Sequence, residues 1–165
     1  MKRQQTRPAR LQIQACIEQH VGDRTEQQDR VVVLGAEPGA AVALGVLADG
    51  LGGRSGGSMA ADNVVLAATQ RIGEFAPGRD DPVDFFQSLV LELHTILRLS
   101  GMTSGTQPHS TLAAVLMQPD RIDWCHVGDS RIYHIRDRRL MHCTTDHTYA
   151  EELVRKGLLT RDRAH

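Results

Sequence analysis

The order of the apolar patterns predicts an α+β fold with antiparallel sheets and helices packed on them. Strand-like runs come first, two long helical stretches follow, and strand-like runs return before a last short helix. This order differs from the strict alternation of strand and helix that gives a parallel sheet. The 165 residues fit one domain, and a hydrophobic content of 41% is sufficient for a core.

Three strand-like runs occupy the N-terminal third of the chain. Apolar and polar residues alternate over residues 11–17, which predicts a half-buried strand. Apolar runs at 31–34 and 41–48 predict two more strands. If these two strands pair as a hairpin, Asp29 and Asp49 come to neighbouring places.

Two long helices and one short helix are predicted from apolar spacing and capping residues. Apolar residues recur at helical spacing from 58 to 75, and Asp81-Pro82 provides the N-cap and first residue of a second helix. Residues 101–107 are predicted to be a loop of small residues after this second helix. A capping box at Thr148–Glu151 opens the last helix, which runs to about residue 156. Gly157 is then its C′ residue.

The C-terminal half also contains a series of strands. Residues 111–117 form a nearly continuous apolar run that is typical of a central strand. Asp137-Arg138 is predicted to be a hairpin turn between two short strands. The short strands are predicted at 121–127, 131–136 and 139–143.

Composition and charge exclude several function classes. The net charge of -1 gives no general attraction to nucleic acid or to an anionic membrane. No apolar run approaches the roughly 20 residues that span a bilayer. Three cysteines without paired spacing indicate buried thiols in a reducing, cytoplasmic compartment. Residues 1–10 are interpreted as a flexible basic tail, so the domain comprises residues 11–165.

The stretch 46–57 ends a predicted strand in one carboxylate and a cluster of glycines. Glycine lets the backbone take positive φ and lets another group approach closely. Asp49 and the carbonyl of Gly50 offer oxygen ligands, which suit Mg²⁺ or Mn²⁺ rather than zinc. The same residues also fit a tight strand-to-helix turn with a capping aspartate.

Three aspartates border apolar strands, at Asp29, Asp49 and Asp129. Each of them alone also fits a turn or a cap. Together they predict a carboxylate cluster for divalent cations, which can generate a hydroxide nucleophile and neutralise a phosphoryl group. Arg24 would then bind phosphate oxygens in a bidentate fork, or else it is an ordinary surface arginine.

Five short motifs follow one another along the chain. They are Arg24-x-x-Gln27-Gln28-Asp29, Leu47-Ala48-Asp49-Gly50-Leu51-Gly52-Gly53, Ser110-Thr111-Leu112, Val127-Gly128-Asp129-Ser130-Arg131-Ile132-Tyr133 and Thr145-Asp146-His147-Thr148. Over about residues 20–157 the chain thereby resembles the metal-dependent protein phosphatase (protein phosphatase 2C-like) family. The resemblance implies an αββα sandwich of two antiparallel sheets flanked by helix pairs, with a Mn²⁺ or Mg²⁺ centre between the sheets. It also implies hydrolysis of phosphoserine and phosphothreonine by a metal-bridging hydroxide.

The resemblance assigns roles residue by residue. Asp49 would bridge two metal ions, and the carbonyl of Gly50 would bind one of them. Asp29 would act through metal-bound water, and Asp129 would contribute to a third, weaker metal site. Arg24 would bind the substrate phosphate, so Arg24 and Asp49 are the expected catalytic residues.

Several positions depart from the family pattern. Gln27 and Gln28 stand where the family often has Asn and Glu, and Arg54 stands where a histidine often follows the paired glycines. Arg54 effectively cannot titrate, so it either binds phosphate or has a structural role. Arg131 and Asp146 are expected to support the fold.

The resemblance also sets expectations for the whole protein. Family members continue to an Asp-Gly and an Asp-Asn motif that complete the metal pair, and this sequence ends before either of them. The expectation is an N-terminal part of a phosphatase domain, inactive or weakly active alone. Its partner would be a phosphorylated protein, opposing a Ser/Thr kinase in bacterial signalling, with no nucleic acid partner and no membrane span.

The residues also suggest three alternative interpretations, two of which are disfavoured. The chain would instead be a phosphatase-like regulatory module that binds phosphorylated partners without hydrolysis. A nucleotide-binding glycine loop is disfavoured because no Gly-Lys-Ser/Thr follows the glycines. A zinc site is also disfavoured, because alternation places Cys125 and His126 on opposite faces of a strand.

Overall fold

The structure, a computed structural model, describes residues 12–35, 40–51 and 53–163, with the side chains of 53–55 outside the description. A short 3-10 turn, Arg161–Arg163, follows the last helix. The elements in chain order are β1 (Asp29–Leu34), β2 (Ala43–Leu51), α1 (Gly53–Glu74), α2 (Pro82–Ser104), β3 (His109–Ser110), β4 (Leu112–Met117), β5 (Ile122–Val127), β6 (Tyr133–Arg136), β7 (Arg139–Cys143) and α3 (Tyr149–Arg155).

The larger sheet is antiparallel and has the strand order β1-β2-β4-β5, with β3 paired to the end of β2. β2 and β4 are its central strands, which confirms the prediction for residues 111–117. Because side chains alternate across a strand, Val46 and Ala48 of β2 and Ala114 and Leu116 of β4 are buried against the helices. This layer of sheet and helices is the core of the molecule.

The helices α1 and α2 cover one face of that sheet. Phe75, at the end of α1, and Phe85 and Phe86, in α2, form two edge-to-face aromatic pairs, each with ring centroids 5.3 Å apart. The predicted cap of α2 is confirmed, since Asp81 Oδ1 accepts the N–H of Val83 at 2.6 Å. Within the described residues no helix is both long and apolar enough to cross a bilayer.

The strands β6 and β7 form a separate antiparallel sheet. Asp137 and Arg138 join them with φ of 51° and 60°, as a two-residue type I′ turn requires. The α+β class with two antiparallel sheets is therefore confirmed. The capping of α3 is also confirmed: Thr148 Oγ1 accepts the N–H of Glu151 at 3.2 Å, and Gly157 has a φ of 70°.

The structure differs from the prediction at residues 12–20 and at the end of α2. Residues 12–20 carry no regular secondary structure and are mostly exposed, although residues 11–17 were predicted to be a strand; residue 11 lies outside the described part. Alternation alone does not make a strand, because its N–H and C=O groups need a partner strand, and none of the described strands pairs with this segment. The helix α2 also continues to Ser104, beyond the loop predicted from Gly101, and ends at Gly105 in the left-handed conformation.

Candidate metal centre

Asp29 and Asp49 are brought together by the β1–β2 pairing. Asp29 opens β1, Asp49 lies near the end of β2, and the two are Cα partners in the antiparallel ladder. The negative charge of Asp29 acts on the carboxyl group of Asp49. The hairpin hypothesis for these residues is confirmed.

The pKa of Asp49 shows how the other predicted residues surround this pair. Burial is the largest cause that raises the pKa of Asp49, and the negative charges of Asp29 and of Asp129 raise it further. The positive charge of Arg24 acts in the opposite direction. Four residues predicted from three motifs therefore share one electrostatic environment.

The backbone of Asp29 is held from three directions. Its N–H donates to Gln27 Oε1 at 3.0 Å, and its carbonyl accepts from Gln19 Nε2 at 3.2 Å and from an Arg30 guanidinium nitrogen at 2.8 Å. Arg30 in turn forms an ion pair with Asp62 of α1, with Nε and Oδ1 2.6 Å apart. The start of β1 is thereby tied to the helix layer.

Gly50 and Gly57 allow close packing between β2 and α1. The helix α1 already begins at Gly53, so the prediction that it starts at Ser58 is wrong. A Cβ added to Gly50 would lie 2.0 Å from the carbonyl oxygen of Gly57, and one added to Gly57 would lie 2.7 Å from the carbonyl oxygen of Gly50. Only glycine at both positions lets the end of β2 and the first turns of α1 approach so closely.

Asp129 lies in the turn between β5 and β6 and is exposed. Gly128 before it has a φ of 101°, a left-handed conformation that favours glycine. The carbonyl of Gly128 accepts the N–H of His147 at 2.9 Å. The turn is therefore bound to the segment that enters α3.

Arg131 and Asp146 reinforce the same connection. The guanidinium donates two hydrogen bonds to the carboxylate, at 2.7 and 2.8 Å. This bidentate bond lowers the pKa of Asp146 and raises that of Arg131. The geometry agrees with the expectation that both residues support the fold.

Arg24 is exposed and precedes β1 in a segment without regular structure. Its positive charge acts on Asp49 and lowers the pKa of that carboxyl group. The side chain of Arg54, the other expected phosphate ligand, lies outside the described residues. Arg54 itself belongs to the first turn of α1.

The donor set suits a hard cation. Two facing carboxylates in a partly buried place, one of them with a raised pKa, are oxygen ligands of the kind that hard cations prefer. The carbonyl of Gly50 is the next backbone oxygen after Asp49. Among residues 12–35, 40–51 and 56–163, however, no group of three or more His, Cys, Asp or Glu side chains is arranged to hold a metal ion. The described residues thus supply two neighbouring carboxylates, Asp29 and Asp49, and the charge of Asp129 also acts on Asp49.

Cys125 and His126 of β5 make different contacts. Cys125 packs against the hydrophobic core, and burial raises the pKa of its thiol. His126 instead stacks on His147 with ring centroids 4.3 Å apart, and its Nε2 lies 2.8 Å from the carbonyl oxygen of Thr145. These contacts agree with the predicted opposite faces.

Comparison with known proteins defines the class. Residues 18–160 match the family described as Protein phosphatase 2C. The chain therefore belongs to the protein phosphatase 2C family.

Individual relatives are bacterial protein phosphatases. The serine/threonine protein phosphatase PstP of Mycobacterium tuberculosis is 32% identical over 128 residues, which are 72% of this chain and 23% of that protein. Protein phosphatase PhpP of Streptococcus pneumoniae is 29% identical over 124 residues, which are 72% of this chain and 49% of PhpP. The chain thus spans half or less of these relatives.

A solved structure is similar in fold. The catalytic domain of PstP in complex with two manganese ions superposes with a TM-score of 0.70 at 29% identity. The match covers 86% of this chain and 59% of that domain.

Sequence reasoning gave no role to two hydroxyl groups beside the site. Thr111 Oγ1 accepts the N–H of Asp49 at 3.0 Å and lies 2.7 Å from Ser130 Oγ. Thr111 and Ser130 both stood inside recognised motifs, so the signal was present. Their contact joins residues distant in sequence, and motif spacing does not reveal it.

Proposed function

We propose that this chain carries the N-terminal portion of a metal-dependent phosphatase site that hydrolyses phosphoserine and phosphothreonine in proteins. The observation that carries the proposal is the pairing of Asp29 with Asp49, with Asp129 and Arg24 acting on the same carboxylate. Membership of the protein phosphatase 2C family supports the reaction class.

The proposed roles follow from the chemistry of each group. Asp49, Asp29 and the Gly50 carbonyl would hold Mn²⁺ or Mg²⁺, and Asp129 would add a ligand to a third, weaker ion. The bound ions would activate water and neutralise charge on the phosphoryl group. Arg24, an always-protonated fork of donors, would orient the phosphate oxygens.

Arg54 is proposed as a second phosphate ligand. The first turn of α1, where it lies, begins two residues after β2 ends. Helix N-termini favour anions because their N–H groups are unpaired and the helix dipole is positive there. An arginine at this place adds a permanent charge of the same sign.

The 165 residues alone are proposed to hydrolyse phosphoesters slowly. The described part supplies two paired carboxylates but no three-ligand group. Each absent carboxylate weakens the hold on a divalent cation, because these ions need several oxygen ligands. We further propose a phosphoprotein substrate, an opposing Ser/Thr kinase, a cytoplasmic setting and a domain boundary near residue 11.

The test combines Mn²⁺ binding with phosphate release from phosphoserine and phosphothreonine peptides. Wild type is expected to bind Mn²⁺ in calorimetry and to release phosphate slowly, only with the metal. Asp49→Asn should abolish both, whereas Arg24→Ala should weaken turnover and retain Mn²⁺ binding. Asp62→Asn, which alters an ion-paired carboxylate on α1, is the matched control and should leave Mn²⁺ binding intact.

Two outcomes would contradict the proposal. Mn²⁺ binding that persists unchanged in Asp49→Asn would remove the metal centre from this place. Tight binding of phosphopeptides by wild type, with no release at any Mn²⁺ concentration, would instead support the regulatory module.

A further inference from the structure

Thr111 stands at an interruption of the central sheet. β2 pairs with β3 as far as Gly50 and Ser110, and with β4 from Leu47 and Ala113. Thr111 lies between these two ladders and belongs to neither strand.

The side chain of Thr111 replaces a backbone group at this interruption. Its N–H donates to the carbonyl of Asp49 at 2.9 Å, as a ladder residue would. The N–H of Asp49, however, donates to Thr111 Oγ1 at 3.0 Å. Both main-chain polar groups of Asp49 are therefore bound by one residue, which is only 5% exposed.

The same hydroxyl reaches the turn that carries Asp129. Thr111 Oγ1 and Ser130 Oγ are 2.7 Å apart, and a threonine hydroxyl can donate one hydrogen bond while accepting another. On the other side of Asp129, a Cβ added to Gly128 would lie 2.7 Å from Thr111 Cγ2. Thr111 thus contacts the residues on both sides of Asp129.

From these contacts we propose that Thr111 is a positioning residue, whose hydroxyl fixes Asp49 relative to the Asp129 turn. The inference rests on the proposed metal centre and specifies what holds its carboxylates in register. Residues that hydrogen-bond the metal ligands orient those ligands, and removal of such a residue commonly lowers the metal affinity by about 10-fold to 100-fold.

Two substitutions separate the hydroxyl from the methyl group. Thr111→Val keeps the shape but removes both hydrogen bonds of the side chain. Thr111→Ser keeps the hydroxyl and removes the methyl group that packs on Gly128. The proposal requires that the valine variant weakens Mn²⁺ binding about 10-fold or more and that the serine variant stays within about twofold of wild type.

The chain offers a matched control in Thr144, which is 7% exposed. Its N–H donates to the carbonyl of Ile132 at 3.1 Å, and its Oγ1 accepts the N–H of Ile132 at 3.0 Å. This is the same double contact that Thr111 makes with Asp49. Thr144→Val should therefore lower stability like Thr111→Val but leave Mn²⁺ affinity unchanged.

A second measurement needs no metal. Amide hydrogen exchange in metal-free protein should show loss of protection at Asp49 and at His147, whose N–H donates to the Gly128 carbonyl of the turn, in Thr111→Val, but not in Thr111→Ser or Thr144→Val. Unchanged exchange at both amides in Thr111→Val overturns the proposal, as does unchanged Mn²⁺ affinity.

This design separates the two proposals. If wild type fails to bind Mn²⁺, the metal centre fails, and amide exchange alone decides whether Thr111 fixes Asp49 and the turn. If wild type binds Mn²⁺ and Thr144→Val weakens binding as much as Thr111→Val, the effect is general destabilisation and the positioning role is wrong.

Discussion

Asp29 and Asp49 lie directly opposite each other in the β1–β2 ladder, and the negative charge of Asp29 raises the pKa of Asp49. Two acidic side chains at facing positions of a sheet repel each other when both are ionised. Burial and this neighbour together raise the pKa of Asp49. The arrangement therefore reduces the stability of the metal-free chain and favours a cation.

The first prediction concerns this repulsion. Asp49→Asn should raise the free energy of unfolding of metal-free protein by up to about 1 kcal/mol, since facing like charges cost about that much. Urea unfolding in the presence of a chelator measures it. The ion-paired control Asp62→Asn should show no gain, because it removes an attraction to Arg30. A loss of stability in Asp49→Asn would mean that the pair does not repel.

The second prediction concerns neighbouring glycines in α1. Gly57→Ala should destabilise the fold by about 1–3 kcal/mol, because its Cβ would press against the carbonyl of Gly50. Gly56→Ala is the control: its Cβ would meet Thr106 atoms no closer than 3.8 Å, and removing a helical glycine gains up to about 1 kcal/mol. Thermal unfolding of both variants compares them. Equal effects would contradict the close contact between β2 and α1.

The third prediction concerns the cap of α2. Asp81→Ala should cost about 1 kcal/mol of unfolding free energy, because the N–H of Val83 loses its acceptor. Asp81→Ser should restore most of that loss, since serine also caps helices. Asp84→Ala, in the first turn but not at the cap, should have a smaller effect. Chemical unfolding ranks the three variants, and a similar loss in Asp84→Ala and Asp81→Ala would contradict the capping role.

The fourth prediction concerns pH. Arg79 and then the backbone N–H of Ala76 hydrogen-bond Asp80 and lower its pKa from 3.8 to about 2. Because the folded-state pKa lies below the unfolded value, the Asp80 carboxylate stabilises the fold above pH 3.8. This stabilisation is lost as the pH falls from about 4 to about 2.

Asp80→Asn tests this sign. The stability advantage of wild type over the variant should be constant above pH 5 and should shrink on acidification through that window. Urea midpoints at a series of pH values measure the difference. An advantage that stays constant down to pH 2 would show that Asp80 titrates alike in folded and unfolded chains.

Local patterns were sufficient for much of the fold. The cap at Asp81, the positive-φ turn at Asp137-Arg138 and the capping of α3 each depend on residues close together in sequence. The hairpin alignment of Asp29 with Asp49 also follows from two adjacent apolar runs. Short-range rules apply at these places because the partners are near one another along the chain.

The local sequence patterns did not predict the contacts between segments that are distant along the chain. The alternation in residues 11–17 predicted a strand, but none of the described strands supplies a partner to residues 12–20. The helical spacing of apolar residues placed the start of α1 after the glycines, whereas the structure includes glycines in the first turns of α1, where Gly57 closely approaches Gly50.

The sequence by itself determined the α+β class, most element types and the acidic residues from which a hard-cation site would be built. Only the tertiary structure decided that the glycines form a backbone-to-backbone contact and that Thr111 joins Asp49 to the Asp129 turn. The physical reason is range: periodicity and capping act within a few residues, whereas packing and side-chain hydrogen bonds join segments whose proximity exists only after folding.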